Sequence, residues 1–189
     1  MKTEYRIASA VKELMGKMPL EDISVVEITK KCKINRQSFY YHYHDVFDVL
    51  TVIFLNEKID DSTDIKTTTE LITRIYSYYE KNRLFVDASL NSMGKDLVKE
   101  FLYNVCYQSL FKIISNFQES AILTLNEKKM ITRFYASAYS NSIVYYFLNF
   151  PTKSLNSLLK MFVFTNDYDI KKSVQNLAKL VEHEGKIIR

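Results

Sequence analysis

Glycine is scarce in this chain, and its three copies, Gly16, Gly94 and Gly185, stand alone among 189 residues. A glycine-rich loop that wraps backbone amides around a phosphate is therefore excluded, and with it a dinucleotide fingerprint. Histidine is equally sparse. His42, His44 and His183 place no base beside a nucleophile and form no metal triad, so neither catalysis nor a bound metal or cofactor is expected. The two cysteines, Cys32 and Cys106, fall on the apolar faces of separate predicted helices without a nearby ligand pair, and such thiols serve as small core hydrophobes. No stretch reaches the roughly 20 apolar residues of a membrane span. The first residues are amphipathic and charged rather than leader-like, so a cytoplasmic protein without membrane contact is expected. Repeats and low-complexity tracts are absent as well.

The remaining composition is that of a globular protein, 47% hydrophobic and 25% charged, long enough for one or two compact units. A net charge of +4 is only mildly basic, so its distribution matters more than its size. No carboxylate occurs from Ile28 to His44, whereas Lys30, Lys31, Lys33 and Arg36 are cationic and His42 and His44 become so near a polyanion. Glu4, Glu13, Glu21, Asp22, Asp45 and Asp48 lie around that stretch rather than in it.

The same stretch carries two short helices. Ser24 and Glu27 stand three apart and form a capping box, followed by the apolar stripe Val25, Ile28, Cys32. Lys33-Ile34 breaks the pattern. Asn35 then caps a second short helix over Arg36 to Tyr41, with Phe39 as its buried side. Two short helices joined by a tight turn make a helix-turn-helix, whose second helix enters the major groove with its N-terminal residues at the base edges. Those residues are Arg36, Gln37 and Ser38, able to fork onto guanine, to fork onto adenine and to bond a base or phosphate, respectively. Tyr40, Tyr41, His42 and His44 follow at the helix exit as phosphate donors. Ser24, Lys33 and Asn35 complete the set of expected DNA contacts.

The run VVEITKKCKINRQSFYYHYHDVFDVL resembles the DNA-binding motif of the TetR family of bacterial transcriptional regulators. Ile28 stands at that family's Ile, Cys32 at its Ala, Ile34 at its Val, Ser38 at its Thr, Tyr40 at its Tyr, His42 at its His, Tyr43 at its Phe and Leu50 at its Leu. The run NRQSFYYHYHDVFDVL is also similar to a subgroup associated with dihydroxyacetone kinase operons. Departures are Lys33 for the usual turn Gly, Thr29 for Ala, and Val46 for a phosphate-touching Lys, a role for which His44 is a substitute.

Along the rest of the chain, spacing predicts a first helix over Thr3 to Lys17 and a plug of Met18, Leu20 and Ile23. A helix capped by Asp45 is predicted through Ile59, and a turn-like DDSTD segment from Asp60 to Asp64 follows. Further helices are predicted from a Thr67–Glu70 capping box to Asn82, over Leu84 to Leu90, and over Lys95 to Phe117. Next come Lys128 to Asn149 behind a Thr124–Glu127 box and ahead of Pro151, then Ser154 to Phe164, and Asp169 to His183. An all-α chain results, with a DNA-binding domain over 1–50 and a helical effector-binding and dimerisation domain over 51–189.

The resemblance implies a homodimer on a pseudo-palindromic operator, acting as a repressor that an effector releases. In that family the helix ending at Asn149 and the one after it form a four-helix interface with their mates, which would use Phe134, Ala138, Ser142, Tyr145 and Leu158. Burial inside one protomer is the alternative. Tyr76, Tyr79, Phe85, Tyr103, Tyr107 and Tyr139 would line a cavity for a mostly apolar small molecule, or are plain core. The subgroup resemblance adds control by a partner protein and an activator role. A helical carrier or protein-binding module that does not read DNA remains the other class of function.

Overall fold

The computed structural model describes residues 3–59, 65–150 and 154–187. Among them the chain is all α, without a strand. The helices are α1 (Thr3–Met15), α2 (Val25–Cys32), α3 (Arg36–His42), α4 (Val46–Asn56), α5 (Thr68–Lys81), α6 (Arg83–Leu90), α7 (Lys95–Asn116), α8 (Leu125–Asn149), α9 (Leu155–Met161) and α10 (Asp167–Ile187).

Side-chain caps set most helix starts, because the first amides of a helix have no intrahelical acceptor. The Ser24 amide donates to Glu27 at 2.9 Å and the Glu27 amide to Ser24 Oγ at 3.3 Å, so the predicted capping box opens α2. Thr124 and Glu127 do the same for α8 at 2.6 and 3.3 Å. Asn35, Asp45 and Ser154 accept from the third residue of α3, α4 and α9. The Thr67 box closes only halfway. Its hydroxyl accepts from the Glu70 amide at 3.1 Å, but the Glu70 carboxylate takes the amide of Lys66 instead.

Among the helix ends that differ from expectation, three do so for visible reasons. α4 stops at Asn56 rather than Ile59, since Glu57 is extended and its carboxylate holds Lys12 of α1. α10 starts two residues early because the Asn166 carboxamide accepts from the Tyr168 and Asp169 amides, while the Asn166 amide donates to Asp169. α9 correspondingly ends at Met161. The DDSTD segment and Pro151 lie outside the described residues.

The chain forms two compact units, Met1–Lys58 with Tyr79–Phe101, and Ile59–Tyr78 with Leu102–Arg189. In the first, Ile7 and Val11 of α1, Ile28 of α2, Phe39 of α3 and Val49 and Leu50 of α4 are fully buried, and Leu20 and Ile23 plug the core as expected. The unit also takes in α6, beyond residue 50. Phe85 stacks on Phe54 at 5.3 Å, Lys12 lies over the Phe85 ring, and the Met93 amide donates to Glu21.

In the second unit α8 supplies the central face, with Ala136, Tyr139, Ile143 and Tyr146 buried. Its inward tyrosines bond outward along the chain: Tyr135 with Ser173 at 2.7 Å, Tyr139 with the Thr165 carbonyl, and Tyr146 with both the amide and carbonyl of Ser154. Burial pushes the Tyr139 hydroxyl and the Cys106 thiol up to about 12, so both are neutral core groups.

Gly94 is fixed by space. A Cβ there would lie 2.5 Å from Leu50 Cδ2, closer than a Cβ approaches, and Leu50 is fully buried, so a core side chain must shift to admit it. Gly94→Ala should therefore destabilise the protein by about 1–3 kcal/mol, the usual cost of overpacking, as read from urea unfolding.

Candidate nucleic-acid interface

α3 is held from behind. Phe39 has no exposed surface and meets Tyr40 edge-on at 5.5 Å and Tyr43 at 6.0 Å. With Phe39 inward, α3 presents Arg36 and Gln37 outward in its first turn, Ser38 half-buried beside them, and Tyr40 and Tyr41 outward at its exit. Tyr41 is 85% exposed, the most open of the large hydrophobic side chains among the described residues. Asn35, Gln37, Ser38, Tyr41 and His42 border one open cavity of about 290 Å³ together with Thr3. Of the predicted residues, Gln37, Ser38, Tyr41 and His42 are thus brought together, while Arg36 and Tyr40 are exposed outside that cavity. Thr3 was not singled out in the sequence, because nothing local marks a residue 32 positions upstream as a neighbour of Asn35.

Carboxylates near this face are committed elsewhere. Glu27 is tied into the Ser24 cap, and the Ser24 amide holds it below the usual carboxylate range. Glu13 pairs with Lys31 at 2.6 Å, and that hydrogen bond lowers it too. Asp48 accepts from the His44 amide. Glu4 stands 3.4 Å from His42 Nδ1, an ion pair whenever the imidazole is protonated. Lys30, Lys33 and Arg36 have no ion pair among the described residues, which leaves three cations for a polyanion. The Ser24 hydroxyl is occupied by its own cap, donating to Glu27 at 2.8 Å. Asn35 keeps its amide donors, since only its carbonyl oxygen is used, at 2.7 Å from the Ser38 amide.

Lys33 holds the turn between α2 and α3 at φ 52° and ψ 48°, the one positive φ among the described residues. A Gly would take that conformation freely, whereas a residue with a Cβ does so at a cost.

The other predicted sites fare unevenly. Tyr103 and Tyr107 stack at 6.1 Å, and Tyr107 stacks on Phe111 at 6.2 Å, a half-buried ladder along α7. Tyr76 is half-buried. Tyr79 is fully buried, its hydroxyl donating to Asp87 at 3.0 Å beneath Arg83, and it belongs to the first unit while Tyr139 belongs to the second. On α8, Phe134, Ala138 and Tyr145 are exposed and Ser142 is half-buried. Leu158 is fully buried within the protomer, so it has no surface to offer a partner; α9 turns it inward. Val163 and Phe164, expected inside the helix over Ser154 to Phe164, are exposed beyond the end of α9, and Tyr168 is exposed in the first turn of α10.

Residues 66–163 match the TetR-type family described as the transcriptional regulator C-terminal region. Over 86 residues the chain is 33% identical to the HTH-type dhaKLM operon transcriptional activator DhaS of Lactococcus lactis subsp. lactis (strain IL1403), covering 44% of this chain and 46% of that protein. The match thus spans about half the length of that relative. A solved structure of the dihydroxyacetone kinase operon activator DhaS shares the fold, with a TM-score of 0.57 and 23% identity over 98% of this chain and 97% of the other.

Lys33→Gly should raise stability by up to about 1 kcal/mol in urea unfolding, relief of the left-handed backbone outweighing the greater freedom of Gly in the unfolded chain. It should also weaken binding to every duplex alike, because a charge rather than a base contact is lost. The Glu27 cap makes a pH prediction. Its folded value lies below its unfolded one, so its contribution is present above the ordinary carboxylate range and lost as pH falls through the lowered value. Glu27→Ala should be less stable than the parent at neutral pH, and the two unfolding curves should converge in acid.

Proposed function

Because the chain belongs to the TetR family of transcriptional regulators, we propose that it reads a pseudo-palindromic operator as a homodimer through Arg36, Gln37 and Ser38. The observation that carries this reading is the exposed first turn of α3, free of carboxylate partners and flanked by Lys30 and Lys33. Arg36 and Gln37 serve as the base readers. Lys33, Tyr40, Tyr41, His42 and His44 hold phosphates, and the free side-chain amide of Asn35 helps fix register. Residues 1–50 carry the reading and 51–189 the sensing and pairing.

The pairing surface is the α8 stripe Phe134, Ala138, Ser142 and Tyr145, and the two reading helices sit one helical turn of DNA apart, roughly 34 Å, or a multiple of it. A small molecule or a partner protein acts by shifting the population between conformers that match and do not match the half-site spacing. Tyr103, Tyr107 and Tyr76 are the aromatic side chains that keep partial exposure for a small effector. No catalytic step, cofactor or metal enters, and the protein works in the cytoplasm. Release from a repressed operator is the output proposed first. The printed function of the 33% identical relative, an operon activator, favours activation as the second reading.

Fluorescence anisotropy at two salt concentrations tests the reading, comparing a random duplex with the DNA upstream of the gene and with duplexes selected from a random pool. Tighter binding to a selected duplex, saturating at an even number of protomers, is expected. Equal, strongly salt-dependent binding to all duplexes would sink it. Arg36→Ala should relax preference at one base position by about 1–3 kcal/mol, whereas Tyr41→Ala should weaken all duplexes together. Unchanged operator selection in Arg36→Ala would remove Arg36 from the reading set. Phe134→Glu with Tyr145→Glu should shift sedimentation from dimer to monomer, since charges on a buried apolar stripe oppose association.

A further inference from the structure

The left-handed backbone at Lys33 depends on one peptide plane, the one joining Cys32 to Lys33. Rotating that plane changes ψ of Cys32 and φ of Lys33 together and turns both of its polar ends, the Cys32 carbonyl and the Lys33 amide. That carbonyl is held. It accepts from Arg6 Nη2, which comes from α1, 26 residues upstream. Arg6 is anchored in return, because its own carbonyl accepts from the Cys32 thiol at 3.2 Å.

The other end of the same plane is closed by the helix end itself, with the Lys33 amide donating to Lys30 at 3.2 Å, and the next amide, that of Ile34, donates to Thr29 at 3.0 Å. The Cys32 carbonyl has no such local partner, as is usual for the last carbonyls of a helix. Arg6 supplies it. A second tie, Lys31 with Glu13, joins the same two helices. Arg6, Glu13, Lys31, Cys32 and Lys33 border an open cavity of about 210 Å³, so on that side the plane is held by hydrogen bonds rather than by packing, from Arg6 at its carbonyl and to Lys30 at its amide.

We propose that Arg6 is a positioning residue for DNA reading: it fixes the Cys32–Lys33 peptide and thereby the direction in which Arg36, Gln37 and Ser38 leave the turn. The inference rests on the reading of DNA by α3. Arg6 touches no base. Its effect passes through the strained turn, three residues before Arg36, and a Gly at position 33 lessens the need for that support because Gly takes a positive φ without steric cost.

Four proteins test this: the parent, Arg6→Met, Lys33→Gly and the double variant. Met keeps an apolar stem in place of Arg6 while removing its donors. Arg6→Met should lower the ratio of selected-duplex to random-duplex affinity by roughly tenfold or more, with random-duplex binding falling only as for one lost cation. Lys33→Gly in the Arg6→Met background should restore most of that ratio. In urea unfolding, Lys33→Gly should recover part of the stability lost in Arg6→Met, so that the two substitutions are not additive. Equal weakening of both duplexes by Arg6→Met, or a lost ratio that Gly does not restore, overturns the positioning role. Additive stabilities overturn the coupling of Arg6 to the turn whatever the DNA results show. A parent with no preference for any selected duplex instead overturns the DNA reading itself, and the two failures are thereby told apart.

Discussion

A helix of seven residues does not stand by itself in water, and α3 persists because Phe39 is driven completely into the core of the first unit. Everything useful about the reading face follows from that burial. With Phe39 inward, the turn and period of the helix leave Arg36, Gln37 and Tyr41 pointing out, and Asn35 closes the first turn without using a base-reading side chain. The core that receives Phe39 is assembled from α1, α2, α4 and α6, so the reading helix inherits its rigidity from elements that carry no recognition chemistry.

Electrostatics are arranged by subtraction as much as by addition. The net charge is modest, and the bases around the turn are few. What makes them effective is that Glu27, Glu13 and Asp48 are each spent on a hydrogen bond inside the unit. Two of those bonds are helix caps, so the groups that start α2 and α4 also clear the field in front of α3.

Features decided within four residues were legible in the sequence. The boxes at Ser24 and Thr124, the Asn35 and Asp45 caps and the break at Lys33 all appear where spacing placed them, since caps and turns are local competitions for backbone hydrogen bonds. The half-closed box at Thr67 shows the limit: a carboxylate with two amides in reach took the one the pattern did not favour. Contacts across long separations were not legible. Leu158 reads like any apolar residue of a helix stripe, and only the folded chain turns it inward. Tyr79 and Tyr139 share a residue type and a helical period but belong to different compact units, each hydroxyl already taken. Arg6 carries no local signal at all, and its partner lies 26 residues away.

Tyr146 and Ser154 exchange two hydrogen bonds through a single phenol, which donates to the Ser154 carbonyl at 2.9 Å and accepts from its amide at 2.8 Å. A phenol buried to this degree cannot lose one bond and keep the other as the chain slides, because both are anchored on the same residue. Displacement would leave the buried Tyr146 hydroxyl without a partner, at about 1–3 kcal/mol, while the backbone groups of the exposed Ser154 turn to water. The buried end of that clamp is Tyr146, so the place where α9 begins is fixed from the core of the second unit rather than from the surface.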